Sequence, residues 1–391
     1  MSEPLKVFLV AVEPSGDALG ADLIAALRES CGNDVSIAGV GGPRMAELGV
    51  RSAVDISGLA ILGLLDGLKT YPQILKKVNE TVEAAMAFEA DSVVLIDSWG
   101  FMIRVAQRLQ KRENAPFLIK YVGPQIWAAR PRRANVLAQS VDHLLTIHAF
   151  DQPMFEAAGL ATTFVGNPAL ERPVTGDGTA FRRKHGIDKG TIVIGVLFGS
   201  RPSELRRIGP AIRDAIAALQ AQLPGAVFVT PAAPAIAEGV RAALNEDPRM
   251  TNVLVVEEDE KRDATSAMNV ALAVSGTATT ELALAGVPTV STYRLGWLSY
   301  WIYKNILFKA KYFSLVNIAA DQELIIEHAQ DEANGERLAA SVQVLLDENS
   351  SGRSRGPALQ AAAEAMKGDG RSSARAAEAV HGLTAARKRP D

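Results

Sequence analysis

Two short turns rich in small polar residues lie in the second half of the sequence. One is Gly199-Ser200-Arg201, followed by Glu204, and the other is Ser275-Gly276-Thr277-Ala278, followed by Glu281. Backbone N–H groups at the start of a helix lack partners and attract anions, and an arginine can donate two parallel hydrogen bonds to a diphosphate. The two turns together predict a site for a phosphorylated ligand, with a nucleotide as the favoured candidate. Each turn alone could equally be an ordinary helix cap.

Carboxylates follow two apolar runs in the first half of the sequence. Glu13 opens the motif Glu13-Pro14-Ser15-Gly16-Asp17 after the run 6–12, and Asp97 follows the run 92–96. A carboxylate at the carboxyl end of a buried strand is well placed to act as a general base, and Asp97 is our candidate. The alternative is that Asp97 only caps a helix starting near Gly100.

Arginines follow a Pro/Gly turn at residues 121–127. Arg130, Arg132 and Arg133 come directly after it, and Gln125 and Trp127 lie within it. Such a cluster could hold an anionic group of a substrate, or it could form a solvated face.

These side chains need a frame that brings strand ends together, and the apolar pattern predicts one. Strand-like runs alternate with helical patterns, as in doubly wound α/β domains with a parallel sheet, where ligands bind at the carboxyl edge. We expect two Rossmann-like domains, at 1–170 and 171–355, and a C-terminal helix and tail at 356–391 that can return to the first domain. The expected strands are 6–12, 35–40, 92–97, 117–122 and 143–148, then 191–198, 226–230, 252–257, 270–274 and 288–292, with helices at 17–29, 70–88 and 100–112.

Composition and charge exclude several other classes of protein. A net charge of −3 gives no reason to expect nucleic acid as a partner. The five histidines and the single cysteine show no metal-ligand spacing, so we expect neither a metal nor a cofactor. No run approaches the roughly 18 apolar residues of a transmembrane helix, and the run 7–12 is too short for a signal-peptide core. A cytoplasmic protein is expected.

Two apolar stretches suggest contact with lipid. Residues 296–313 include Trp297, Trp301 and Phe308, several lysines and no acidic residue, as in segments that lie at a membrane surface. Residues 59–68 include Leu62 and Leu65 and are interrupted only by glycines and Asp66. The alternative for both stretches is a core between helices.

Taken in order, these motifs resemble those of lipid-A-disaccharide synthase, a lipid glycosyltransferase of Gram-negative bacteria. The resemblance runs through almost the whole chain, and the ordered set is specific although each motif alone is weak. The matching residues are Glu13-Pro14-Ser15-Gly16-Asp17 with Leu19-Gly20, Gly41-Gly42-Pro43-Arg44-Met45, Ile96-Asp97-Ser98, residues 121–127 with Arg130, Phe164-Val165-Gly166, Gly199-Ser200-Arg201 with Glu204, Ser275-Gly276-Thr277-Ala278, and Ser314-Leu315 with Asn317.

The resemblance implies a GT-B fold, with two Rossmann-like domains facing across a cleft, and an inverting, metal-independent transfer. The implied donor is UDP-2,3-diacylglucosamine and the implied acceptor is 2,3-diacylglucosamine 1-phosphate. The products would be lipid A disaccharide 1-phosphate and UDP, made by a monomer or homodimer associated peripherally with the inner membrane.

The resemblance also implies roles for individual residues. The catalytic carboxylates would be among Asp97, Glu13 and Asp66. Donor binding would fall to Gly199, Ser200, Arg201, Glu204, Ser275, Gly276, Thr277, Ala278, Glu281 and Asn317. Acceptor and phosphate binding would fall to Ser15, Gly16, Asp17, Gln125, Trp127, Arg130, Arg133 and Asn167, and lipid contact to Leu62, Leu65, Trp297, Trp301 and Phe308.

The chain departs from the family pattern mainly on the acceptor side. Trp99-Gly100 stand where the family usually has Pro-Asp, Asn167 where it tends to have His, and Val316 where it has Pro. Two other functions therefore stay open at this point. One is a GT-B enzyme acting on a soluble UDP-sugar, such as a UDP-N-acetylglucosamine 2-epimerase, and the other is a catalytically weak relative that only binds glycolipid.

Overall fold

The computed structural model describes residues 3–56, 67–127, 131–250, 252–294 and 311–388, and the chain divides into two compact units. The first unit comprises Met1–Pro168 and Gly368–Asp391, and the second comprises Ala169–Lys367. The sequence placed the corresponding boundaries after residues 170 and 355. The segment 356–391 is divided between the units, its first helix lying in the second unit and its last helix in the first.

The first unit is built on a parallel sheet of six strands in the order β2-β1-β3-β4-β5-β6. The strand order reverses between β1 and β3, which pair directly, with Val10 opposite Leu95. The strands are β1 Leu5–Val10, β2 Val35–Val40, β3 Ser92–Ile96, β4 Phe117–Tyr121, β5 His143–Thr146 and β6 Thr162–Phe164. The helices are α1 Pro14–Cys31, α2 Pro43–Glu47, α3 Gly67–Ala87, α4 Trp99–Leu109, α5 Arg132–Ala138 and α6 Gln152–Glu156.

The apolar runs of these strands are continuous because both faces of the sheet are buried. Along the first run, Phe8 and Val10 enter one core cluster, and Val7 and Leu9 enter the cluster on the opposite face. The two-residue period of a strand produces this division. The sheet is therefore a rigid layer that fixes where its strand ends, and the residues after them, lie.

The second unit repeats the architecture with the strand order β12-β11-β10-β7-β8-β9. Here the order reverses between β7 and β10, which also pair directly. The strands are β7 Val193–Leu197, β8 Val227–Pro231, β9 Val253–Val256, β10 Val270–Val274, β11 Thr289–Tyr293 and β12 Ile326–Ala329. The helices are α7 Gly178–Lys184, α8 Pro202–Gln222, α9 Ala237–Asn245, α10 Lys261–Ala267, α11 Thr277–Leu284, α12 Leu315–Ala320, α13 Gly335–Ser350 and α14 Gly356–Lys367.

The last helix, α15 (Ser372–Lys388), packs against α1 in the first unit. Ala376 and Val380 join the core cluster formed by α1 and the sheet. The Thr384 hydroxyl donates to Ser92 Oγ at 2.8 Å, and Lys388 pairs with Asp91 at 3.0 Å. The chain terminus thus stabilises the start of β3, the strand that leads to Asp97.

The predicted doubly wound α/β fold is confirmed, and two of the differences in its elements have a clear physical reason. Each sheet has a sixth strand, β6 or β12, that the sequence did not reveal, because these short edge strands carry polar residues and lack an apolar run. Helix α1 starts at Pro14 and not at residue 17, since a proline at the first helical position lacks only an N–H that would be unpaired there anyway. Among the described residues, no helix has the length and apolarity needed to cross a membrane.

Candidate functional site

The first candidate site lies where β1 and β3 end side by side at the point of strand reversal. Asp97 follows β3, and its carboxylate accepts a hydrogen bond from the Ser15 hydroxyl at 3.2 Å, in the first turn of α1. Glu13 follows β1 and is the N-cap residue of α1. The structure therefore brings Asp97 and the Glu13–Ser15 motif together at the sheet edge where ligands bind in this architecture.

The backbone that presents Asp97 is unusual. Asp97 has φ of 54° and Ser98 has φ of 34°, both in the left-handed region that residues with a side chain rarely adopt. Ser98, and not Asp97, is the N-cap residue of α4. The cap interpretation of Asp97 loses support, and strained backbone of this kind is often found at functional sites.

A cavity of about 200 Å³ opens beside this turn. Its walls combine the Glu13 carboxylate and the Arg104 guanidinium with the apolar side chains of Ile74 and Phe101 and the ring of Tyr71. Arg104 lies over the Tyr71 ring, 5.4 Å from its centre. The cavity thus offers both polar and apolar surface to a ligand, and Glu13 is the carboxylate residue in its wall.

Asp17, which the sequence assigned to phosphate binding, has a structural role. Its buried carboxylate accepts hydrogen bonds from the backbone N–H groups of Gly42, Arg44 and Met45 at 2.8, 2.9 and 3.2 Å. A Cβ at Gly42 would lie 2.6 Å from that carboxylate. The Gly41-Gly42-Pro43-Arg44-Met45 motif is therefore the partner of Asp17, which already uses its carboxylate to cap α2. Gly16 is buried in α1 beside it.

The remaining predicted acceptor residues lie at several places in the first unit. Gln125 is exposed, and Asn167 is buried with 6% of its surface accessible. Trp127 packs edge-on against Phe150, with ring centres 5.8 Å apart, and Arg133 lies over the Trp99 ring at 4.9 Å. Arg133 thus contacts one of the two residues that depart from the family pattern after Asp97.

His148 lies just after β5, close to the end of that strand. It is 7% exposed, and burial lowers its pKa to about 4, so the ring is neutral at physiological pH. Burial also raises the pKa of neighbouring Asp151 to about 7, against the opposing hydrogen bond from Thr146. The His148 ring stacks on Phe150 with ring centres 5.2 Å apart and Asp151 is 2% exposed, so both are packed side chains.

The second candidate site is a pocket of about 290 Å³ at the strand reversal of the second unit. The turn after β7 supplies Gly199, Ser200, Arg201 and Glu204, and the turn after β10 supplies Ser275, Gly276, Thr277, Ala278 and Glu281. The two turns singled out in the sequence thus line one pocket. A Cβ at Gly276 would meet no atom within 4 Å, so this turn leaves room for a ligand to approach the backbone.

Glu204 changes the expected use of the first of these turns. The Glu204 carboxylate accepts hydrogen bonds from the backbone N–H groups of Ser200 and Arg201 at 2.9 and 3.2 Å. The same carboxylate forms an ion pair with the Arg201 guanidinium at 3.3 Å. Gly199 has φ of 93°, and a side chain there would also collide with Glu204. Glu204 therefore occupies the backbone N–H groups that were expected to bind phosphate. The Arg201 side chain is 73% exposed and stays accessible to a ligand.

The sequence did not reveal Lys261, which also lines the pocket. Its ammonium pairs with Glu281 at 2.8 Å and with Glu258 at 3.5 Å. Burial lowers the pKa of Lys261, but the two glutamates outweigh burial and the net shift is upward, so the side chain is charged. It lies at the start of α10, and no local motif marks it.

Asn317, which the resemblance assigns to the donor side, is hydrogen-bonded inside the second unit. It is completely buried, and its amide exchanges hydrogen bonds with the backbone of Leu324 and Ile325 and with the Glu327 carboxylate. Burial raises the pKa of Glu327, although hydrogen bonds from Ser314, Phe313 and Asn317 oppose the shift. Asn317 therefore stabilises the connection between α12 and β12.

Several predicted residues lie outside the described part of the chain. Among the residues that are described, no group of three or more His, Cys, Asp or Glu side chains could hold a metal ion. The residues outside the description are Asp66, Leu62, Leu65, Arg130, Trp297, Trp301 and Phe308.

Comparison with known proteins adds independent information. The sequence profile of the lipid-A-disaccharide synthetase family matches residues 7–380. The lipid-A-disaccharide synthase of Rhodospirillum centenum is 42% identical over 380 residues, which is 97% of this chain and 94% of that protein.

Solved structures of more distant proteins share the architecture. The UDP-GlcNAc 2-epimerase of Neisseria meningitidis bound to UDP-GlcNAc superimposes with a TM-score of 0.59 at 13% identity, covering 97% of this chain and 100% of that one. A glycosyltransferase from Rickettsia africae gives a TM-score of 0.58 at 11% identity and covers all of both chains. At such identities the likeness shows the fold alone, and that fold is GT-B.

Proposed function

The chain belongs to the lipid-A-disaccharide synthetase family, a group of glycosyltransferases of lipid A biosynthesis, and from that premise we propose the reaction in detail. The donor is UDP-2,3-diacylglucosamine, the acceptor is 2,3-diacylglucosamine 1-phosphate, and the anomeric centre is inverted. The observation that supports this most directly is the pair of sites at the two strand reversals. One offers a carboxylate base, and the other offers a pocket with two cations.

The proposed chemistry is a single displacement. The acceptor hydroxyl oxygen attacks the anomeric carbon of the donor while the bond from that carbon to the UDP oxygen breaks. The proton of the hydroxyl passes to the Asp97 carboxylate, which Ser15 orients by its hydrogen bond. The electron pair of the broken bond leaves with UDP.

The departing diphosphate needs positive charge, and the pocket in the second unit can supply it. Arg201 turns its exposed guanidinium from Glu204 onto the diphosphate, and the N-terminus of α11 faces the same space. The Glu281 carboxylate can accept hydrogen bonds from hydroxyl groups of the donor sugar. This division of roles needs no metal ion.

The function is tested by supplying both acylated sugars and measuring UDP release together with the mass of the lipid product. We expect a disaccharide phosphate and equimolar UDP, unchanged by excess EDTA. Loss of turnover in EDTA that magnesium restores would contradict the metal-independent mechanism. Conversion of UDP-N-acetylglucosamine to its 2-epimer would favour the epimerase alternative, and glycolipid binding without UDP release would favour the weak relative.

We further propose that the enzyme associates peripherally with the inner membrane. A surface groove between α3, α4 and α5 supports this, because it combines Tyr71 and Val136, both exposed, with a set of cationic side chains. Its lining contains no carboxylate among the described residues, and its cations are Arg104, Arg108, Lys111 and Arg133. A cationic surface with exposed apolar side chains is typical of proteins that bind anionic lipid. The stretches 59–68 and 296–313 are the sequence's own candidates for the same contact.

Reversing the charge of this groove should weaken membrane binding. The double variant Arg108→Glu, Lys111→Glu should sediment less with vesicles containing anionic phospholipid, since each basic residue near such a surface contributes about 1 kcal/mol. The control is Arg183→Glu, Lys189→Glu, which makes the same charge change at two exposed positions of the second unit. Equal loss in both double variants would mean that only the overall charge matters and would contradict the groove.

A further inference from the structure

Lys120 is a buried lysine in the middle of an otherwise apolar strand. It lies in β4, between Ile119 and Tyr121, and only 2% of it is exposed. Its ammonium donates to three backbone carbonyl oxygens, those of Leu95, Asp97 and Tyr121, at 3.2, 2.6 and 3.1 Å. An ammonium has three hydrogens, and this geometry uses all of them.

The carbonyl groups that Lys120 holds flank the strained turn after β3. Asp97 and Ser98 have positive φ, and Val122, which follows β4 on the neighbouring strand, has φ of 69°. The Asp97 N–H donates to Tyr121 O at 2.9 Å, so that oxygen has a partner without the lysine. The shortest of the three contacts, to Asp97 O, is the one that fixes the turn itself.

Burying an ammonium is costly, and an apolar side chain would suit the strand better. The cost is visible in the charge state, because burial lowers the pKa of Lys120 to about 7, although the negative charges of Asp97 and Glu13 oppose this shift. A lysine that contributed only packing would be a poor choice here. Lys120 instead donates hydrogen bonds to carbonyl groups of a turn whose positive φ angles are unfavourable for residues with side chains.

We propose that Lys120 is a positioning residue that holds the Asp97-Ser98 turn in the conformation from which the Asp97 carboxylate accepts the proton. The proposal rests on the function assigned to Asp97 above. Lys120 does not touch the substrate in this scheme, and it acts through the carbonyl group of Asp97.

The first experiment compares Lys120→Met with Lys6→Met, the same substitution on strand β1 of the same sheet, where the lysine is partly exposed and pairs with Glu89. Lys120→Met should lower kcat by about 10- to 100-fold, the loss expected when a catalytic group is displaced by around 1 Å. The KM for the acceptor and the affinity for UDP should change little, and Lys6→Met should retain full activity.

A double variant separates this proposal from the base assignment. In an Asp97→Asn background, Lys120→Met should cause no further loss, since two residues that act through one group are not additive. If the kcat of the double variant fell by the product of the two single losses, the proposal would be overturned and Asp97 would remain the base. Full activity of Asp97→Asn alone would overturn the base assignment first.

The pH profile provides a readout that does not depend on the folding of Lys120→Met. Below pH about 7 the ammonium donates charge-assisted hydrogen bonds, and above it the neutral amine donates weaker ones, so its hold on the Asp97 carbonyl group weakens. The kcat of the unmodified enzyme should therefore fall as the pH rises through this value. Lys120→Arg stays charged throughout and should lack that step. Superimposable profiles of Lys120→Arg and the unmodified enzyme would overturn the proposal.

Discussion

Replacing Asp97 by asparagine should lower turnover by about 10²- to 10⁴-fold, the usual contribution of a general base. Asparagine keeps the size of the side chain and can still accept the hydrogen bond from Ser15, but it cannot take up a proton. UDP affinity should stay unchanged, because the side chains that line the proposed UDP pocket all belong to the second unit. Turnover of the acylated sugars and calorimetry with UDP together provide the measurement.

The control for Asp97→Asn is Asp22→Asn, the same substitution at an exposed position of α1 in the same unit. It should leave turnover and stability unaltered. Near-normal turnover of Asp97→Asn would show that another group takes the proton. Glu13 would then be the next carboxylate to replace, since it lines the adjoining cavity.

The sequence was sufficient to predict that these turns lie at strand ends, because each turn depends on local pattern. An apolar run, a turn of small residues and a helix identify the end of a strand, and the parallel architecture brings such ends to one edge. Ser275-Gly276-Thr277 and Gly199-Ser200-Arg201 were placed together in this way. The contact between Asp97 and Ser15 was not predicted, and only the structure reveals it.

What each side chain does at the edge depends on partners that are distant in sequence. Asp17 caps a helix 25 to 28 residues away, and Asn317 is held by backbone groups beyond α12. A motif shared with a family does not distinguish such structural residues from residues that contact substrate. The sequence pattern therefore does not predict whether a side chain points toward the ligand or toward the protein interior.

Two functional candidates were missed for different reasons. Lys120 does carry a signal, because a lysine inside the apolar run Phe117–Tyr121 must find partners in the core. Lys261 carries none, since a lysine at the start of a short helix is ordinary on a protein surface. Only the fold brings it beside Glu281 in the pocket.

Removing the Arg201 guanidinium, in Arg201→Ala, should weaken UDP binding by about 1.5–3 kcal/mol, the range for hydrogen bonds to charged groups. The charges of the pocket explain why one cation matters so much. Glu204, Glu258 and Glu281 face only two cationic side chains among the described lining residues, Arg201 and Lys261. A diphosphate therefore enters a pocket whose side chains carry a net negative charge, and losing either cation makes entry harder.

The matched control is Arg206→Ala, which removes an exposed arginine from α8, the helix whose N-cap residue is Arg201, and should leave UDP affinity unaltered. Arg201 is 73% exposed, so its pair with Glu204 contributes little to folding, and the thermal stability of Arg201→Ala should match that of the control. Unchanged affinity of Arg201→Ala would remove Arg201 from the donor site. In that case Lys261 would have to leave Glu281 to meet the diphosphate, and Lys261→Ala would become the variant that loses UDP.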